Sequence, residues 1–205
     1  MLDDLSPMQL DERPFTFGEP GWVYEIKFDG YRLLAEFGNG DCVLQTKNGT
    51  NATRWFPEIA RSLGRVEGGP YVVDGEVCVL DEMGRSDFIR LQNRARKRRW
   101  YDGADSVVYA VFDLLVYHGV DITASPLSVR KEALAMLFKA PRPSIFVVGY
   151  FEEDGEVLFN MAVHQLKLEG VVAKHVNSRY LPGSRTAEWV KVKRKSAVPA
   201  ERFKR

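Results

Sequence analysis

The chain has 205 residues, 45% hydrophobic and 28% charged, and its 29 Lys+Arg against 28 Asp+Glu leave a formal net charge of +1. This composition excludes disordered, collagen-like and low-complexity chains and is enough for one large or two small cored domains. Two cysteines, Cys42 and Cys78, are too few for a disulfide framework or a cysteine zinc site, which makes a reducing, cytoplasmic compartment the expectation.

The N-terminus, Met1-Leu2-Asp3-Asp4-Leu5-Ser6-Pro7, is acidic and lacks the basic flank and apolar stretch of a secretion signal. Alternating, β-branched and aromatic residues predict strands over 22–28, 31–37, 42–46 and 71–80, separated by Asp29-Gly30, Gly38-Asn39-Gly40 and Asn48-Gly49 turns that read as antiparallel hairpins. Helical spacing predicts helices over 55–63 and 87–99, then over 129–139 after Ser128, and over 156–168. Further strands fit 107–117, 145–150, 170–174 and 188–193. The richest apolar run, 107–117, falls short of the roughly 18 residues of a membrane helix and contains Asp113, so a soluble chain without a membrane partner is expected. Runs of strands with helices inserted, rather than strict βαβ alternation, point to an α+β fold of mainly antiparallel sheets with packed helices.

The near-zero net charge hides segregation. Arg85 to Arg99 holds seven cations against Asp87, and Lys191 to Arg205 holds seven against Glu201, so each segment carries +6 and the rest of the chain is acidic. An acidic body with two basic segments suits a polyanionic partner, although solvated surface stretches have the same composition.

Charged residues also stand inside apolar strand patterns. Glu25-Ile26-Lys27-Phe28-Asp29-Gly30-Tyr31-Arg32 places a lysine and an arginine about a tight turn, where they would converge on one mouth of a hairpin. Asp74-Gly75-Glu76, Val111-Phe112-Asp113-Leu114-Leu115, Glu169-Gly170-Val171-Val172-Ala173-Lys174 and Trp189-Val190-Lys191-Val192-Lys193 repeat the theme, the last alternating its lysines onto one strand face. Such groups are costly to bury unpaired, so together they imply a site.

In this order and with these gaps, the strings resemble the five nucleotidyltransferase motifs of ATP-dependent DNA ligases and their relatives, the RNA ligases and mRNA capping enzymes. The match runs from about Ser6 to Lys195. Phe88-Ile89-Arg90-Leu91-Gln92-Asn93-Arg94, Phe112-Asp113-Leu114-Leu115 with Gly119, and Pro126-Leu127-Ser128-Val129-Arg130-Lys131 are similar to the ligase domain of the bacterial end-joining ligase D. The resemblance implies an ATP-grasp-like nucleotidyltransferase (adenylation) domain over 1–205. It also implies that Lys27 is the nucleophile that expels pyrophosphate from ATP and holds AMP covalently, in DNA repair or end joining in a bacterial cytoplasm, at the nucleoid.

The same resemblance assigns the other positions. Arg32 and Glu76 would hold the ribose, Phe112 would stack on adenine, and Glu25 and Ile26 would meet the adenine edge. Lys191 and Lys193 would contact phosphate and act with Lys27 and Arg32 in catalysis. Glu169, with a weaker water-mediated contribution from Glu76, would support Mg2+ or Mn2+. Magnesium keeps several waters and needs only one or two carboxylates plus phosphates, so no dedicated cage is expected. His118, His164 and His175 are too dispersed to form one. Asp29 fixes the turn.

A free lysine titrates near 10.4, and attack needs the neutral amine, so a crowd of cations (Arg32, Lys191, Lys193 and the metal) is expected around the nucleophile. At Lys47 many relatives carry arginine in a phosphate-contacting loop, and lysine keeps the charge without the bidentate fork. The ten residues after Lys195 are too few for the OB-fold that usually follows. The expectation is therefore a domain with no OB-fold that acts on nicked or broken double-stranded DNA. Its clamp would come from the basic segments or from an end-joining protein partner. RNA ligation, partner-dependent adenylyl transfer and a non-catalytic nucleotide- or DNA-end-binding role are the alternatives.

Overall fold

A computed structural model describes Leu2, residues 5–195 and Ala197. Two sheets face each other. The first has the order β1-β11-β10-β2-β9, built from β1 (Gln9–Asp11), β2 (Trp22–Lys27), β9 (Tyr150–Phe151), β10 (Gly170–His175) and β11 (Arg185–Lys193). The second has the order β4-β3-β5-β6-β7, from β3 (Tyr31–Gly38), β4 (Asp41–Thr46), β5 (Tyr71–Cys78), β6 (Val108–Tyr117) and β7 (Val120–Asp121), with β8 (Ile145–Val147) parallel on β6. The α-helices are α1 (Pro57–Gly64), α2 (Phe88–Arg96), α3 (Leu127–Leu137) and the short α4 (Gly155–Val157), which runs into a π-helical segment, Leu158–His164. Most pairs are antiparallel, as the α+β pattern requires. Among the described residues no helix is long and apolar enough to cross a membrane.

Three apolar layers follow from strand parity. Leu33, Ala35 and Phe37 of β3 and Val73 and Val77 of β5 pack with Ile59 and Leu63 of α1, Leu91 of α2 and Leu134 of α3. The opposite faces of β3 and β5 supply Leu34 and Val72, which meet Val23 of β2 and Trp189 of β11 between the sheets. Trp22, Tyr24, Ala173 and Val190 form the outer layer of the first sheet with Phe15 and Phe17.

The hairpin expected across Asp29-Gly30 does not form. β2 pairs with β10 and β9, whereas β3 pairs with β4 and β5, so the turn is a crossover between sheets. A Cβ on Gly30 would stand 2.0 Å from the Val77 carbonyl oxygen, and the Gly30 N–H donates to Glu76 Oε1 at 3.1 Å. That close approach docks the turn on β5 and directs Tyr31 into the second sheet. The strand expected over 145–150 is divided, with β8 in one sheet and β9 in the other, and the helix expected over 156–168 is mostly π-wound.

α3 is tied to β6 by a fully buried ion pair. Arg130 donates from Nε and Nη2 to the two Asp113 carboxylate oxygens, each at 2.9 Å, and from Nη1 to the carbonyls of Ser125 at 2.6 Å and Ser178 at 2.9 Å. Removing one partner leaves a buried charge without compensation, so Arg130→Met is expected to cost about 3–5 kcal/mol in urea denaturation. Pairing it with Asp113→Leu should recover only part of that, because the two serine carbonyls still lose their donor.

Candidate active site

Parity also builds the site. Val23, Glu25 and Lys27 share one face of β2, Val172 and Lys174 one face of β10, and Trp189, Lys191 and Lys193 one face of β11; all look toward the second sheet. From there Arg32 of β3, Asp74 and Glu76 of β5 and Phe112 of β6 look back. The inner part of the intervening cleft, about 420 Å³, is lined by Leu10, Glu25, Ile26, Arg32, Glu76, Phe112, Lys174 and Trp189, with Lys27 and Phe28 at its edge. A wider outer part is lined by Lys27, Arg32, Lys47, Glu76, Arg185, Lys191 and Lys193.

Gly170 is the hub of the register. It is the Cα partner of Lys27 on one side and of Lys193 on the other, so Glu169, the residue before it, lies between the two lysines. Glu169 Oε2 accepts from Lys27 Nζ at 2.6 Å, and Oε1 lies 3.6 Å from Lys193 Nζ. The Arg194 N–H donates to the Glu169 carbonyl at 3.0 Å and fixes that strand entry. The immediate neighbour of the Lys27 amine is thus the Glu169 carboxylate, with the Lys193 amine on its other oxygen.

Arg32 lies opposite Glu76 in the ladder, yet its guanidinium is held bidentately by Asp74, with Nε–Oδ1 at 2.9 Å and Nη2–Oδ2 at 2.6 Å. Tyr180 donates from its hydroxyl to the same Asp74 oxygen at 2.6 Å. Burial alone would lower the Arg32 guanidinium, but the Asp74 carboxylate outweighs it and holds it above its usual value. Glu76 accepts from Gly30 N–H, and burial pushes its carboxyl up to about 7 against the pull of Lys27 and Arg32.

At the inner end the Phe112 ring carries two cations, Arg32 Cζ 5.0 Å and Lys174 Nζ 4.5 Å from its centroid, and Lys174 also sits 4.1 Å from the Trp189 ring. Glu25 is buried between Lys131, from α3, and Lys174, whose Nζ is 2.8 Å from Oε2. Burial pushes the Lys174 amine down to about 8, with Glu25 opposing and Lys131 adding to the effect. Lys191 pairs with the exposed Glu12 at 2.7 Å. Among the described residues no three His, Cys, Asp or Glu side chains converge on a metal position.

All ten candidate residues therefore line or border one cleft. Asp74, Lys131, Lys174, Tyr180 and Trp189 were not assigned roles from sequence. Asp74 and Lys174 carry the signal of charge inside an apolar strand, whereas Lys131 has the spacing of an ordinary helix surface. The first basic segment is partly consumed by structure. Arg85 pairs with Asp81 and Arg90 with Asp105, while Arg94 is buried and reaches Glu58 and the Arg99 carbonyl. Arg96 to Arg99 remain exposed. In the second segment, residues 198–205 and Ser196 lie outside the described residues.

The sequence pattern of the ATP dependent DNA ligase domain matches residues 6–193. The DNA ligase-like protein LigB from the SPbeta prophage of Bacillus subtilis is 34% identical over 188 residues, 92% of this chain and 67% of that protein. The multifunctional non-homologous end joining protein LigD of Mycobacterium bovis is 35% identical over 193 residues, 94% of this chain but 24% of that protein. The solved structure of a mycobacterial DNA ligase D complexed with ATP and MES superposes with a TM-score of 0.76 at 32% identity, over 94% of this chain and 61% of that one.

The Glu76 carboxyl supplies a pH test. Its value is raised on folding, so the folded state binds more protons between the ordinary carboxylate range and about 7, and stability falls as pH rises through that window. Glu76→Gln is expected to gain Tm relative to the parent at pH 8 and to lose that advantage by pH 4, measured by calorimetry without nucleotide.

Proposed function

The chain belongs to the ATP-dependent DNA ligase domain family, and from that premise we propose that it adenylates itself on Lys27 and joins DNA strands. The observation that carries this reading is the Lys27–Glu169–Lys193 contact, with Lys27 lining both the inner and the outer cleft and Lys193 the outer one. An amine that shares a carboxylate with a second lysine, and its outer cleft with Arg32 and Lys191, suits attack on a polyphosphate.

The inner cleft takes the adenosine, with Phe112 beneath the base and Glu76 and Arg32 beside the ribose; the outer cleft takes the phosphates against Lys47, Lys191 and Lys193. Phosphate charge competes with Glu169 for the lysines; the Lys27 ammonium passes one proton to water before attack, and the amine gives up a second to water as the N–P bond forms. The Nζ lone pair then forms a bond to the α-phosphorus as the bond to pyrophosphate breaks, and Lys193 and Lys191 stabilise the charge that collects on the departing oxygen. A 5′-phosphate oxygen at a DNA break next displaces Nζ to give a DNA-adenylate. Attack by the 3′-hydroxyl on the 5′-phosphorus closes the strand and releases AMP.

Glu169 and Glu76 suit a divalent ion held by one or two carboxylates plus substrate phosphates, which is the preference of magnesium, with manganese as a substitute. Bound there, the ion would neutralise phosphate charge. The end-joining relatives support double-strand breaks in a bacterial cell as the setting, with an end-joining protein assisting DNA engagement.

Incubation with α-labelled ATP is expected to leave label on the wild-type protein, and Lys27→Ala should abolish it; a mutant that keeps the label overturns the assignment. Arg96 to Arg99 offer four exposed cations to a phosphate backbone. Replacing all four with glutamine should weaken nicked-duplex binding and reduce the slope of log K against log salt by roughly 3–4.

A further inference from the structure

Glu25 is buried at the wall of the inner cleft and is shared by two lysines from different elements. Lys131 of α3 reaches Oε1, and Lys174 of β10 lies 2.8 Å from Oε2. Both lysines are themselves buried, at 5% and 2% exposure. One carboxylate cannot neutralise two buried ammonium groups, so the trio carries an excess positive charge that favours an additional acceptor. Beyond its contact with Glu25 Oε2, the Lys174 ammonium has donors to spare, and it rests against the Phe112 and Trp189 rings in the inner cleft. Lys131 is anchored away from the cleft, donating to the Val148 carbonyl at 3.5 Å and lying over the Tyr150 ring.

We infer that Lys131 is a positioning residue for nucleotide recognition: by engaging one oxygen of Glu25 from the helix side it holds that carboxylate against β2 and leaves the Lys174 amine available to an acceptor atom on the bound base. The inference rests on the ATP reading of the cleft. Without Lys131, Glu25 and Lys174 become a closed, balanced pair, and the ligand has to break it. The groups that face Lys174 are Glu25 from β2, Lys131 from α3 and Asp113 from β6, the last clamped by Arg130, with Arg32 of β3 on the shared Phe112 ring. Loss of Lys131 removes a cation from this set and makes Lys174 harder to deprotonate.

The test follows self-adenylation with labelled ATP between pH 7.5 and 9.5 in wild type, Lys131→Gln and Lys131→Arg. Lys131→Gln is expected to raise KM for ATP about tenfold with kcat within about threefold, and to move the alkaline rise in KM to higher pH, while Lys131→Arg restores KM. A folded Lys131→Gln with wild-type KM and an unshifted profile overturns the inference. If that variant does not fold, a wild-type KM that stays flat across the range overturns it equally. A wild type that takes up no label contradicts the ATP reading itself, whereas normal labelling with indifferent variants contradicts only the role of Lys131.

Discussion

A single carboxylate, Glu169, holds the centre of this molecule by standing between Lys27 and Lys193. It can do so because Gly170 lies in the middle of three antiparallel strands, with a lysine directly opposite on either side. A Cβ at Gly170 would come within 2.2 Å of the Val192 carbonyl oxygen, so the close packing of β10 on β11 that sets this register depends on glycine. The glutamate side chain is 7% exposed, and the desolvation cost of burying it is offset only with both cations present. An anion there has the neighbours a phosphate group would have, which links the resting geometry to the proposed chemistry.

The same principle repeats through the cleft. Arg32 is neutralised by Asp74, Lys174 and Lys131 share Glu25, and Lys191 meets Glu12. With the Glu169 contact included, four carboxylates (Glu12, Glu25, Asp74 and Glu169) face six cations, so a chain of net charge +1 still assembles a cation-rich site. The pairs differ in depth. Asp74 and Glu25 are buried and hold their cations in place, whereas Glu12 is 61% exposed and holds Lys191 only loosely. The gradient runs from a fixed inner end, where we propose the base sits, to an outer end whose lysines are held more loosely.

The basic run near residue 90 shows why linear charge is a poor map of surface charge. Asp87 caps α2 by accepting from the Arg90 N–H, and one helical turn later Arg94 points inward to lie against Phe56 and Tyr101. Of a segment that reads as uniformly cationic, part serves helix packing and part is tied to nearby carboxylates. Arg98 and Lys97 rest their charged heads over aromatic rings, Cζ 5.6 Å from the Trp55 centroid and Nζ 3.8 Å from that of Tyr101.

Strand identity and the side on which each charged residue falls were legible from the sequence, because a period of two puts Trp189, Lys191 and Lys193 on one face wherever that strand lies. The helices that carry apolar stripes were legible for the same reason, to within a turn at their ends. Sheet membership was not. Asp29-Gly30 carries the local signal of a hairpin, yet β2 and β3 separate, because the approach of Gly30 to Val77 is a contact between residues 47 positions apart that no local pattern encodes. The small β1 and β7, the division of 145–151 between sheets and the inward turn of Lys131 have the same origin: pairing and burial there are decided by whichever distant element closes over the segment. Residue chemistry and strand parity chose the components of the cleft, and only long-range packing of the two sheets decided which of them touch.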